Sequence, residues 1–132
     1  MKTLDALGAA LREGARRMGK LTTHVLDTSQ GIPGSDIRVR LYRIDQDRTE
    51  LVDTRTNQDG RCDEPLLSDA AFTTGTYELE FHVAEYFAGQ PIKVGNPAFL
   101  DTVTLRVTLG DDSHYHVPLL VSPWSYSTYR GS

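Results

Sequence analysis

An all-β sandwich is the fold this sequence predicts, and three observations predict it. From Leu21 onward, apolar and polar residues alternate with period two through most of the chain. The alternating runs are short and regularly spaced. The segments between them are rich in Gly, Pro, Asp and Ser. Alternation marks a strand with one buried face, and turn residues at regular intervals between such strands mark a sandwich.

The first twenty residues stand apart from that pattern. Leu4, Leu7, Leu11, Ala15 and Met18 recur at helical spacing, with Arg12, Arg16 and Arg17 off the stripe. This spacing predicts a short amphipathic helix packed on the body or on a partner subunit. Gly8 and Gly14 favour a half-ordered tail instead. Asp5, Arg12 and Glu13 interrupt the apolar stretch that a secretory signal needs. Residues 1–20 are therefore expected to be an N-terminal extension, and residues 21–132 the domain.

The strands follow in order. LTTHVLDT (Leu21 to Thr28) places Thr22, His24 and Leu26 on one face and Leu21, Thr23 and Val25 on the other. SQGIPGSD supplies turn residues. IRVRLYRI alternates Ile37, Val39 and Leu41 against Arg38, Arg40 and Tyr42, a half-buried antiparallel strand. TELVDTRT is the next candidate and the turn signal NQDG closes it. GTYELEFHV (Gly75 to Val83) is a further strand, AEYFAG a single helical turn, and the segment around KVGNP a loop. DTVTLRVTL (Asp101 to Leu109) alternates cleanly and GDDS turns it. HYHVPLLV and SYSTYRGS then form a hairpin around SPW, which docks the end of the chain into the fold.

Composition limits the function. A length of 132 residues fits one domain. The formal net charge of -4 argues against nucleic acid, which needs a basic surface. No apolar run is long enough to span a membrane. One cysteine, Cys62, cannot close an intrachain disulfide, so a reducing, cytoplasmic setting is expected.

The candidate chemistry lies in four places. His24 sits within the first strand, where a histidine is more often structural than catalytic. His114 and His116 share one strand face. Such a pair can contribute to a zinc site or leave one imidazole as a general base, but nothing completes a ligand set, and no metal or cofactor is expected. Arg61, after NQDG, is either a solvated turn charge or a guanidinium fork aimed at a planar, oxygen-rich ligand. Tyr129, Arg130, Gly131 and Ser132 end the chain with a ring, a charge and a hydroxyl. No nucleophile elbow, phosphate loop or dinucleotide fingerprint is present. An enzyme of this kind would use water as nucleophile, activated by histidine and arginine.

These patches together resemble the transthyretin-related family. The residues that carry the resemblance are LTTHVLDTSQGIPG, TNQDGRCDEPL, HYHVPLLVSPWSYST and the closing YRGS, and they cover about residues 21–132. SPWSYST is shared by the family's hormone carriers and its hydrolases. His24, Arg61, His116 and YRGS resemble the hydrolase branch alone. The loop Gly89 to Phe99 departs from the family's usual stretch, and residues 1–20 lie outside the family body.

The resemblance implies a transthyretin-like (prealbumin-like) sandwich of about seven to eight antiparallel strands with one short helix. It implies a homotetramer, a dimer of dimers, with active sites in the channel where the dimers meet. It implies hydrolytic opening of the six-membered ring of 5-hydroxyisourate, giving 2-oxo-4-hydroxy-4-carboxy-5-ureidoimidazoline in urate breakdown. His116 or His24 would be the base, with the other orienting water or substrate. Arg61 would bind ring oxygens and stabilise negative charge. Tyr129 would contact the substrate and Ser132 would hydrogen-bond to it. The alternative is a carrier that binds a small aromatic ligand in the same channel without catalysis.

Overall fold

In a computed structural model, residues 19–131 fold into two β-sheets packed face to face. The expected N-terminal helix and Ser132 lie outside these described residues. The strands are β1 (Lys20–Asp27), β2 (Ile32–Pro33), β3 (Arg38–Ile44), β4 (Arg48–Arg55), β5 (Leu67–Ser68), β6 (Gly75–Phe81), β7 (Val103–Leu109), β8 (His114–Val121) and β9 (Tyr126–Thr128). One turn of 3-10 helix covers Asp69–Ala71, and α1 covers Val83–Ala88. The first sheet runs β2-β1-β8-β9, with β5 also paired to β1. The second runs β4-β3-β6-β7.

Most pairings are antiparallel, as the alternation predicts, with one departure. β1 and β8 run parallel over their whole length, Lys20 beside His114 through Asp27 beside Val121. A hairpin must reverse direction, but these strands are separated by the whole second sheet, so no tight turn dictates their sense. The two-residue strand β2 falls in a segment that reads as turn, and β5 falls between the strands expected from alternation. Both are attached to the edge of β1.

The inward faces are the alternating positions. Leu21 and Val25 of β1, Val39 and Leu41 of β3, Leu79 and Phe81 of β6 and Leu119 and Val121 of β8 are fully buried. Thr23 joins them because its hydroxyl donates to the Val117 carbonyl at 2.7 Å, which removes the cost of burying it.

The outward faces of the two sheets differ in kind. On the second sheet, Arg38 pairs with Asp53, Arg40 with Glu50, Arg48 with Glu78 and Glu80, and Arg106 with Glu78. Exposed pairs of this sort add little stability each. Tyr42, expected to be exposed on this face, is buried because the Arg48 guanidinium lies 3.5 Å above its ring. The first sheet and its β8–β9 turn instead expose a group of apolar and aromatic side chains, Leu26, Ile32, Trp124 and Tyr126, against Leu51 of β4 on the second. It is on this second kind of surface that His24, His114 and His116 lie.

A buried carboxylate locks the far end of β1. Asp27 Oδ1 accepts from the Ser29 and Gln30 backbone N–H groups, and Oδ2 accepts from Gln30 Nε2 and, at 2.8 Å, the Tyr86 hydroxyl of α1. Burial alone would raise its pKa, but the bonds from Ser29, Gln30 and Tyr86 outweigh that and hold it below the usual value. Its contribution is therefore complete above the unfolded Asp value and is lost as pH falls through the lower folded value. Asp27→Asn turns an N–H₂ toward these donors and is expected to cost about 2–3 kcal/mol at neutral pH. Urea unfolding at pH 7 and pH 3 checks it: the gap between the two proteins narrows at the lower pH.

Candidate active site

The first sheet builds its outer face from β1 and β8. Because the two strands are parallel and in register, Thr22 lies beside His116 and His24 beside Pro118. Side chains of residues 22 and 24 therefore share a face with those of residues 114 and 116. The His24 and His116 ring centroids are 6.4 Å apart, and those of His114 and His116 are 6.5 Å apart. Between the last two stands a hydroxyl. Thr22 Oγ1 is 2.9 Å from His114 Nε2 and 2.8 Å from His116 Nδ1.

Arg61 reaches this face through backbone geometry. The Asn57 carboxamide oxygen accepts from the Asp59 and Arg61 N–H groups, and the Asn57 N–H donates to the Arg61 carbonyl. This cinched turn lays Gly60 and Arg61 along the free edge of β1. Val25 N–H donates to the Gly60 carbonyl at 2.8 Å, and His24 and Arg61 form a single antiparallel bridge. Gly60 has φ +77°, and a Cβ there would lie 2.4 Å from the Val25 carbonyl oxygen. Only glycine permits both the left-handed conformation and the close approach. The turn signal NQDG thus places an arginine side chain beside two histidines.

The end of the chain closes the other side. Gly131 N–H donates to the His116 carbonyl at 2.7 Å. A Cβ at Gly131 would meet His116 Cδ2 at 2.9 Å, so glycine lets the backbone at residue 131 pack against the imidazole. The β8–β9 register, with Leu119 beside Thr128 and His116 beside Gly131, carries Tyr129 opposite Pro118. Tyr129 therefore stands in one row with His24 on the same face. It is 60% exposed and lines a separate hollow with Arg130 and Tyr115.

A cavity of about 420 Å³ opens over the site, lined by Thr22, Arg61, Cys62, Glu64, His114 and His116 among others. His116 is half-buried. Burial first, then the positive charge of Arg61, then His24 and His114, disfavour its protonation and lower its pKa from the ordinary 6.5. The imidazole is thus held neutral at pH 7. Burial, with the nearby Asp63 charge, pushes the Cys62 thiol up to about 11, which keeps it a thiol rather than a nucleophilic thiolate.

Of the residues expected from sequence, the structure brings His24, Arg61 and His116 together and sets Tyr129 one strand away; Ser132 is outside the described residues. Thr22 and the positioning role of Gly131 were not anticipated. Alternation does put Thr22 on the His24 face. Its contact with two histidines about ninety residues later depends on the β1–β8 pairing, which no local signal carries.

Residues 21–131 match the family model described as the HIUase/Transthyretin family. The chain is 55% identical to "5-hydroxyisourate hydrolase" of Ralstonia nicotianae over 87% of its own length and 100% of that protein. Its fold matches the structure of Klebsiella pneumoniae 5-hydroxyisourate hydrolase with a TM-score of 0.72 and 31% identity, over 87% of this chain and 100% of that one. It matches transthyretin from Sparus aurata with a TM-score of 0.75 at 22% identity, over 85% and 96% of the two chains, a likeness of fold alone.

Proposed function

The chain belongs to the HIUase/transthyretin family, and we infer that it is a hydrolase that opens the six-membered ring of 5-hydroxyisourate in purine breakdown. One structural observation supports the reading most strongly. A half-buried imidazole held neutral, a guanidinium and a second imidazole converge on one open face. Water addition to a ring carbonyl needs a base, a stabiliser for the developing oxyanion and a clamp for a flat, polar ring.

His116 is the general base. Its Nδ1 is engaged by Thr22, which leaves Nε2 to take a proton from water. Arg61 offers its fork to the ring oxygens and neutralises charge as the tetrahedral intermediate forms. His24, bridged to Arg61 and facing His116, orients water and substrate. Tyr129 contacts the ring, and Ser132, which completes YRGS, hydrogen-bonds to it. The ring C–N bond then breaks as the intermediate collapses, and the proton held at His116 passes to the departing nitrogen. Water is the nucleophile, and His116 and Arg61 supply the base and the charge stabiliser, so the scheme calls on no cofactor.

The assembly belongs to the same proposal. A homotetramer built as a dimer of dimers would cover Leu26, Ile32, Trp124 and Tyr126, which this chain exposes around the histidine face. It would also enclose the open cavity as a channel. Light scattering on the purified protein reads the mass directly. A cytoplasmic location is supported by Cys62, which a reducing compartment leaves free.

The decisive experiment follows the decay of freshly generated 5-hydroxyisourate with and without protein. Accelerated decay that saturates with substrate is the expected result. Unchanged decay, with saturable binding of an aromatic ligand, would favour the carrier.

A further inference from the structure

We propose that Thr22 and His114 form a proton relay behind His116, which fixes the tautomer of the base and carries its acquired charge out to solvent. The inference rests on the hydrolase reading and adds two positioning residues to it.

A threonine hydroxyl has one proton and two lone pairs. Here it stands within hydrogen-bond distance of two ring nitrogens at once, at 2.9 Å and 2.8 Å. Its proton can serve only one of them, so the other nitrogen must donate. In one arrangement His116 Nδ1–H donates to Thr22 Oγ1, and the hydroxyl donates to His114 Nε2. His116 Nε2 is then a free lone pair facing the cavity. In the other, His114 Nε2–H donates to Thr22, the hydroxyl donates to His116 Nδ1, and Nε2 of His116 carries the proton. The first is a general base and the second a general acid.

These arrangements are the two ends of one transfer. Water gives a proton to His116 Nε2. The Nδ1 proton passes to Thr22 Oγ1, and the hydroxyl's own proton passes to His114 Nε2. His116 and Thr22 end neutral, and the positive charge rests on His114. The reverse sequence returns a proton from His116 Nε2 to the departing ring nitrogen. No other reactant is needed.

The surroundings favour moving the charge in that direction. His116 is half-buried, and the charged and titratable groups facing it are Arg61, His24 and His114, with Cys62 and Glu64 also in the cavity wall. A positive charge on His116 is repelled by the guanidinium, whereas His114 is exposed and its charge is solvated. Geometry holds the relay ready. Thr22 is β-branched with a restricted χ1, and the parallel register sets it beside His116, with His114 two residues earlier on the same face.

Thr22→Val keeps the shape and removes the hydroxyl. It is expected to lower kcat about 10- to 100-fold, part of what a general base contributes, with KM changed less than about threefold. Thr22→Ser is expected to restore kcat to within about threefold of wild type, since it restores the hydroxyl. Histidine ¹⁵N NMR on the full chain should find His116 protonated on Nδ1 at pH 7 in wild type and a tautomer mixture in Thr22→Val. An unchanged kcat and pH profile in Thr22→Val overturns the relay, as does a wild-type His116 protonated on Nε2 at rest. Should Thr22→Val fail to fold, His114→Ala at the exposed end reads the same chain: a loss of about tenfold in kcat supports it and no loss overturns it. A wild type that leaves 5-hydroxyisourate decay unchanged overturns the hydrolase reading, and the tautomer measurement still reports the hydrogen-bond chain separately.

Discussion

His116→Gln is expected to lower kcat for ring opening by about 10²–10⁴, with the fold intact and KM little altered. Glutamine can still hydrogen-bond to Thr22, but it has no lone pair basic enough to accept a proton from water. The measurement is the absorbance decay of 5-hydroxyisourate at saturating substrate, beside a thermal melt of the same preparation. The wild-type pH profile should carry the same signature. Activity holds down to the ordinary histidine value of 6.5 and falls only below it, because burial and the Arg61 charge keep His116 neutral. The same displacement affects stability. A histidine whose folded pKa is depressed adds stability above its unfolded value, and that stability is lost as pH falls and the unfolded chain takes up the proton first.

Arg61→Gln is expected to cost about 10²–10³ in kcat/KM, the range for losing one preorganised donor to an oxyanion. A second readout is independent of turnover. Removing the guanidinium removes a charge that disfavours imidazolium, so His116 should titrate at higher pH by NMR. Arg61→Lys should keep His116 depressed while recovering little activity, since an ammonium has the charge but not the fork. The exposed side chain of Arg61 predicts unchanged melting for both variants. Near-wild-type rates in Arg61→Gln would remove arginine from the mechanism.

Much of this molecule is legible along the chain, and the illegible parts have a common cause. Strands β3, β6, β7 and β8 coincide closely with alternating runs, since one buried face per strand writes period two into the sequence, whereas β4 has no buried position and is marked mainly by the turn that follows it. The fragments β2 and β5 are too short to carry a period; they are strands only because β1 lies beside them. Tyr42 reads as exposed by alternation and is covered by an arginine from the neighbouring strand. The loop Gly89 to Phe99, which departs from the family's usual stretch, lines an apolar hollow with Trp124 rather than the histidine cavity. The departure therefore lies away from the histidine cavity.

The sandwich, the turn that carries Arg61 and the candidate pair of histidines can be read along the chain, because alternation, turn chemistry and residue type are local. The parallel course of β1 beside β8, and with it the place of Thr22 between His114 and His116, exists only in the assembled fold. The same assembly sets Gly60 and Arg61 against β1 and Gly131 against β8. Strand pairing over long separations is chosen by the packing of whole faces, and the site exists only where those faces meet.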